Sequence, residues 1–303
     1  LLVLVVAALI GLLARFYQLQ IVEHQTYTTI SDRNRVQVQS VPPTRGLIYD
    51  RNGVLLAENR PVFSITMVPE RVTDLEGTLR RLQAVLEITD EDLERFRRRL
   101  REPRRPFQEI PLHYDLSEEE IASMAVLRHE LPGVEVSAEL VRHYPFGVQN
   151  AHALGFVGRI NREELQRIDP VNYAGTNYIG KSGIERMYEE LLHGRVGYQH
   201  VETNARGRIL RVLKQQSSTP GEDIALHLDM RLQQRAVDLL EGRRGAIVAI
   251  EPETGGILSL VSVPGFDANL FVTGIGVEAY RELSESYDKP LFNRALRGQY
   301  PPG

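Results

Sequence analysis

Residues Leu1 to Ala14 carry no charge and, apart from Gly11, are all apolar. No other segment constrains the chain as much. An apolar run without a polar face cannot rest one side on a water-soluble core without exposing the other. As a helix these residues would span roughly 21 Å, short of the ~30 Å hydrocarbon core of a bilayer. The chain opens on Leu rather than Met, so a few apolar residues upstream are expected, enough to complete one transmembrane helix. Arg15, Phe16 and Tyr17 supply a snorkelling cation and an interfacial aromatic pair. No small-x-small cleavage site follows Gly11, which argues against a cleaved signal peptide. Beyond about residue 25 the sequence is polar enough to stand in water. One anchor, over residues 1–22, and one large extramembrane part are therefore expected.

The 303 residues suffice for two domains and a small third. A net charge of -4 argues against nucleic acid held through its phosphates. The absence of cysteine excludes disulfides, thiolate metal sites and a cysteine nucleophile. His129-Glu130 begins like a zinc-protease helix, but Pro132 and Gly133 end it, so no HExxH motif forms and no metal or cofactor is expected. The only lysines are Lys181, Lys214 and Lys289, so any lysine-dependent chemistry must use one of them.

The extramembrane part reads as α+β. Residues 36–67 look like strands, with Asn52-Gly53 between two apolar arms as a type I′ hairpin signal. Residues 74–130 read as helices, with Thr89 and Ser117 as N-caps and a capping box from Ser117 to Glu120. The arginine run from Arg95 to Arg105 reads as a solvated face and loop. Short strands and turns are expected over 133–160. Residues 183–193 read as one amphipathic helix, with Ile184, Met187, Tyr188, Leu191 and Leu192 on its stripe and Gly194 just past its end. β-structure should follow over 196–228, turning near Gly207 and Pro220-Gly221. Asp229 should cap a helix to about Glu241 that buries Leu232, Ala236, Leu239 and Leu240. Ala246–Ile250 and Ile257–Val263 predict a hairpin of two strands buried on both faces and covered by helices. The domain boundary is expected near 220.

Two motifs imitate known chemistry. Gly175–Ser182 matches the phosphate-loop pattern GxxxxGK[ST], but Arg167, Asp169, Pro170 and Asn172 occupy the place of the buried strand such a loop needs. A tight turn before a helix is the better reading. Ser286-Tyr-Asp-Lys289 has the Ser-x-x-Lys spacing of a serine nucleophile with its amine neighbour. Glu285 and Asp288 would keep that lysine protonated, so a loop after a helix over 277–284 is expected instead.

The remaining motifs converge. Arg45-Gly-Leu-Ile-Tyr-Asp-Arg-Asn-Gly-Val-Leu-Leu-Ala57, Arg142-His-Tyr-Pro-Phe-Gly147 and Gly180-Lys-Ser-Gly-Ile-Glu185 resemble, in order, the three non-catalytic boxes of class B penicillin-binding proteins. Leu226–Gln234 is similar to the segment entering their transpeptidase domain, and Gly245–Asn269 to its opening hairpin. Asn293–Gly303, ending Tyr-Pro-Pro-Gly, resembles the stretch just before the catalytic Ser-x-x-Lys, in the form of the elongation-specific branch. Lys181-Ser182-Gly183 mimics the family's later Lys-Thr/Ser-Gly box, but a helix rather than a strand is expected there. The resemblance implies an anchor (1–22), a pedestal (23–220) and the start of an antiparallel sheet covered by helices (221–303). It implies a serine acyl transfer that cross-links peptidoglycan stem peptides and is trapped by β-lactams. It carries no catalytic residue onto this chain: the nucleophile is expected just after Gly303. It further implies a single-pass protein of the bacterial inner membrane with its soluble part in the periplasm. Its partners would be a SEDS-type glycan polymerase and rod-complex scaffold proteins. The alternative is that the chain itself serves as a non-catalytic pedestal that binds and regulates the polymerase.

Overall fold

The computed structural model describes residues 2–18, 36–101, 109–203, 209–240 and 242–299. Contacts divide the chain into two compact units, Leu1–Pro42 with Val196–Ser218, and Pro43–Arg195 with Thr219–Gly303.

The first unit holds helix α1 (Leu2–Tyr17) and a three-stranded antiparallel sheet of β1 (Val36–Val41), β8 (Gly197–Thr203) and β9 (Ile209–Gln216), with β8 in the middle. Among the described residues no helix is long and apolar enough to cross a membrane; α1 has 16 residues and exposes Leu9, Ile10, Leu12 and Leu13. The turn expected near Gly207 lies outside the described residues.

The second unit is organised by one long strand, β3 (Leu55–Met67). Its start pairs with β2 (Ile48–Tyr49), which pairs in parallel with β10 (Ile224–Ala225). Further along, β3 pairs antiparallel with β5 (Val134–His143) on one side and β4 (Ile110–Tyr114) on the other. Helices α2 (Leu75–Gln83), α3 (Asp90–Leu100) and α4 (Glu118–Leu127) complete a lobe whose core includes Ile65, Met67, Leu82, Phe96, Leu112 and Met124. A second core gathers Ile48, Leu56, Tyr144, Leu154, Leu192, Met230 and Phe266. The capping boxes at Thr89–Asp92 and Ser117–Glu120 are both formed, each with reciprocal side-chain and backbone bonds.

Several expectations are corrected. Residues 74–130 are not all helical: β4 interrupts them, alternating buried Ile110 and Leu112 with less buried neighbours. It is an edge strand, which is why Pro111 is tolerated. The arginine run is not wholly solvated: Arg95 and Arg99 turn inward, Arg99 to the Pro111 carbonyl at 2.7 Å. Arg104 and Arg105 lie outside the described residues. The Asn52-Gly53 hairpin exists, but its turn is not type I′, because Gly53 alone has positive φ (82°). Gly53 N–H donates to the Asp50 carbonyl, and Asp50 Oδ1 accepts from the N–H groups of Asn52 and Val54, which selects a longer loop. Within 133–160, Gly147–Leu154 forms helix α5, followed by the short β6 (Val157–Arg159). Glycine and asparagine depress the intrinsic helicity of α5, and burial of Ala151 and Leu154 overrides it.

The helix expected over 183–193 is broken at Tyr188 into α6 (Gly183–Met187) and α7 (Glu189–His193). Its apolar stripe is only in part the buried face: Leu192 is buried and Ile184 packs against the core, but Met187 is 79% exposed and Tyr188 and Leu191 are exposed, while Glu185 and His193 are buried. Helix α8 (Met230–Leu239) starts at Asp229, which accepts from Arg231 and Leu232 N–H, and buries Ala236 as expected, but it also buries Met230 and Gln233 and exposes Leu232 and Leu239. In the hairpin of β11 (Gly245–Ile250) and β12 (Ile257–Val263), only β12 is buried on both faces. Helices α5 and α8 reach β12, whereas β11 leaves Val248 and Ile250 exposed on one face. Helices α9 (Asn269–Val272), α10 (Val277–Glu285) and α11 (Arg294–Arg297) follow.

Candidate functional site

The three boxes meet at a buried cluster of charges. Arg142, at the end of β5, donates from Nε to Glu185 Oε1 (2.7 Å) and from Nη1 to the Gly46 carbonyl (2.7 Å). Arg45 donates from Nε to Glu185 Oε2 (2.8 Å) and from Nη2 to Glu189 Oε2 (2.6 Å). Asn59 on β3 closes the frame, donating to the Arg45 carbonyl and accepting from Arg142 Nη1. Tyr144 donates its hydroxyl to Glu185 Oε1 (3.2 Å) and accepts from Val157 N–H (2.9 Å). Glu189 accepts from Tyr173 Oη (2.8 Å) and from the Gly180 N–H on β7 (Tyr178–Gly180; 2.9 Å). Gly180 must be glycine: a Cβ there would stand 2.2 Å from the Glu185 carbonyl oxygen.

Two arginines face two glutamates, so the cluster is charge-balanced, and all four carboxylate oxygens accept hydrogen bonds. Burial would push the Arg45 guanidinium down, yet Glu185 and Glu189 hold it above its ordinary range. Burial would likewise raise the Glu189 carboxyl, yet Arg45, Gly180 N–H and Tyr173 hold it down. Burial, then Glu185, push the Tyr144 phenol well up, so it remains a donor. Every carboxylate oxygen is held by an internal donor, and Glu185 is fully buried, so the arrangement clamps segments together. One atom is left over: Arg142 Nη2 is buried without a partner.

From this clamp a second set of bonds reaches the later elements. Tyr144 exchanges two backbone-to-side-chain bonds with Asn269, at 2.9 and 3.0 Å. Asp50, itself buried, accepts from Met230 N–H at 3.1 Å. Burial would raise the Asp50 carboxyl, but the N–H groups of Val54, Met230 and Asn52 hold it below its ordinary value. Gln233 donates to the carbonyls of Gln149 and Leu260 and accepts from Ser259 and Leu260.

The imitative motifs fall elsewhere. Lys181 Nζ is 2.5 Å from Glu164, its N–H donates to the Phe156 carbonyl, and the Gly180 N–H is held by Glu189. The amides of Gly175–Ser182 thus form no phosphate nest, and Ser182 precedes the five-residue helix α6 rather than lying on a strand. Ser286 and Lys289 lie in a tight turn after α10, with Lys289 N–H bonded to the Ser286 carbonyl and Lys289 φ at 44°. His129 Nε2 lies at the surface, 3.5 Å from Glu130 Oε1. Among the described residues no group of three or more metal-ligating side chains assembles. Tyr300–Gly303 lie outside the described residues. Sequence reasoning placed Arg45, Arg142 and Glu185 inside motifs but did not find their contact. Its only trace was charge within otherwise apolar segments.

A family model described as the penicillin-binding protein dimerisation domain matches residues 40–226, more than half of the chain. The chain belongs to the penicillin-binding proteins. Among curated relatives of this penicillin-binding protein, peptidoglycan D,D-transpeptidase MrdA of Acinetobacter baumannii is 47% identical over 300 residues, 99% of this chain and 44% of the relative. The Escherichia coli K12 protein of the same name is 45% identical over 96% of this chain and 46% of its own length. The chain thus spans a little under half the length of these relatives. A solved complex between penicillin-binding protein 2 and MreC from Helicobacter pylori matches with a TM-score of 0.72 at 26% identity, covering 86% of this chain and 49% of the other. Penicillin-binding protein 2 of Pseudomonas aeruginosa, solved with WCK 5153, matches at 0.56 and 40% identity, covering 88% and 39%. The mixed α+β architecture with antiparallel sheets is the one expected for this family.

Proposed function

We propose that the chain is the front part of a peptidoglycan D,D-transpeptidase of lateral cell-wall synthesis. Residues 1–22 act as anchor, 23–220 as pedestal and 221–303 as the opening of the transpeptidase domain. The observation that carries this reading is 45–47% identity, over 96–99% of the chain, to proteins named peptidoglycan D,D-transpeptidase MrdA. In this reading a serine just after Gly303 attacks the D-Ala–D-Ala bond of a stem peptide. The terminal D-Ala leaves, and an amine of a neighbouring stem takes the acyl group from the enzyme. A β-lactam acylates the same serine. The clamp at Glu185 supports a pedestal role, since its carboxylates are all committed to holding segments together. The test is a fluorescent penicillin on the full-length gene product, with the labelled peptide identified by mass spectrometry. Label is expected on a Ser-x-x-Lys serine beyond Gly303. Label on Ser286, or none at all, would sink the proposal.

The anchor places the protein in the inner membrane as a single pass, with the soluble part in the periplasm. The apolar run to Ala14 supports this, and alkaline-phosphatase fusions after residue 40 should be active. The pedestal would meet a rod-complex scaffold protein, a reading supported by the Helicobacter pylori complex with MreC, and a SEDS-type polymerase. Deleting residues 40–220 should abolish co-purification of both; unchanged recovery would refute it.

A further inference from the structure

Helix α5 carries one residue tied twice, by its side chain and by its backbone carbonyl, to a segment well over a hundred residues later. His152 Nε2 lies 2.9 Å from the Pro290 carbonyl oxygen. A carbonyl only accepts, so Nε2 carries the proton. The His152 carbonyl in turn accepts from Asn293 Nδ2 at 3.1 Å, while Asn293 Oδ1 caps α11 by accepting from Leu296 N–H. The imidazole packs edge-on against Phe266, with centroids 5.2 Å apart. Burial, then the nearby Arg294 charge, hold the imidazole below its ordinary value, against the opposing pull of the Pro290 carbonyl.

Later residues hold the same segment as well. Ser262 Oγ donates to the Phe292 carbonyl and accepts from Arg294 N–H. The buried Arg294 guanidinium donates to the carbonyls of Lys289, Phe292 and Asp288. His152 is therefore a tie that comes to this segment from the pedestal side of the fold.

We infer that His152 is a positioning residue through which the pedestal sets the acylation rate, by fixing the backbone at Pro290 and, through its own carbonyl, the cap residue Asn293. The inference rests on the functional reading above, in which the segment leads into the nucleophile. A serine delivered by a short segment reacts only as well as that segment is placed, and small displacements of a reacting group are costly in rate.

The test uses the full-length protein and resolves penicillin binding (K) from acylation (k2) by stopped flow. His152→Phe keeps the ring against Phe266 and removes the donor. His152→Gln keeps an N–H donor that can reach Pro290. His152→Phe should lower k2 about tenfold, the factor set by one lost hydrogen bond, with K changed by less than about twofold. His152→Gln should recover most of the rate. Equal k2 for wild type and His152→Phe overturns the role, and so does an equal loss in His152→Gln, which would mark a packing effect. If His152→Phe yields no folded protein, Asn293→Asp reads the same tie, because it keeps the cap on Leu296 and loses the donor to His152. A several-fold loss of k2 supports the role; wild-type k2 overturns it. A wild-type protein that takes no label overturns the functional reading, and this role with it.

Discussion

The Arg45–Arg142–Glu185–Glu189 cluster joins residues up to 144 positions apart, whereas in a second cluster Asp92 bonds Arg95 and His113, no more than 21 positions away, although Arg95 also reaches the Gly274 carbonyl. Both are buried or nearly so, and both centre on a carboxylate gripped by arginine. They differ in what else touches that carboxylate. Glu185 is held by two arginines and a phenol. Asp92 is held by one arginine at 2.5 Å, a histidine at 3.0 Å and its own cap residue Thr89. Burial would raise the Asp92 carboxyl, but His113, Arg95 and Thr89 hold it far below the usual carboxylate range. The hydrogen bond to Asp92 outweighs burial and raises His113. The first cluster thus joins segments distant in sequence. The second trims one lobe and titrates.

That contrast can be broken, most severely at Glu185. Glu185→Ala strands the buried Arg142 guanidinium, leaves Arg45 with Glu189 alone, and should cost about 3–5 kcal/mol, read as a lower urea midpoint. A loss under about 1 kcal/mol would show that the clamp is not what joins the boxes. Tyr144→Phe leaves the Val157 N–H buried without an acceptor and should cost about 1–3 kcal/mol. A pH series sharpens the second cluster. A raised histidine stabilises fully below its unfolded value of 6.5, and the gain is lost as pH rises through the folded value. The advantage of wild type over His113→Gln should therefore be about 1–2 kcal/mol at mildly acidic pH and shrink as pH is raised. Asp92 acts in the opposite sense, contributing above 3.8 and losing its contribution as pH falls toward its depressed value. The smallest effect is expected at Ser117→Ala, about 1 kcal/mol for one exposed cap, independent of pH between 6 and 8.

Local signals in the sequence were legible. Thr89, Ser117 and Asp229 cap as their side chains require, and Ser286 follows a helix that ends at Glu285. Features decided by distant neighbours were not. Gln233 and Glu185 are fully buried, yet polarity alone puts them on the surface, so the stripes at 183–193 and on α8 were right at Leu192 and Ala236 and wrong at Met187, Leu191, Leu232 and Leu239. Pattern reading assumes that water is the partner of a polar residue. Here the partners of Gln233 are the Gln149 and Leu260 carbonyls, the Leu260 N–H and the Ser259 hydroxyl, and those of Glu185 are arginines 140 and 43 residues earlier. Helix α5 was missed for the same reason, since only its contacts make so weak a helix former hold.

The separation of 140 residues between Arg45 and Glu185 also sets a clock. A ribosome adds about 5–20 residues per second, so Arg45 waits roughly 7–28 s for its first carboxylate. The apolar core of the lobe, from Ile65 to Val134 with Val136 packed on it, includes no residue made later and can gather during that interval. The emerging chain can therefore gather a small lobe before it closes the clamp, with two cations waiting for their carboxylates in the meantime.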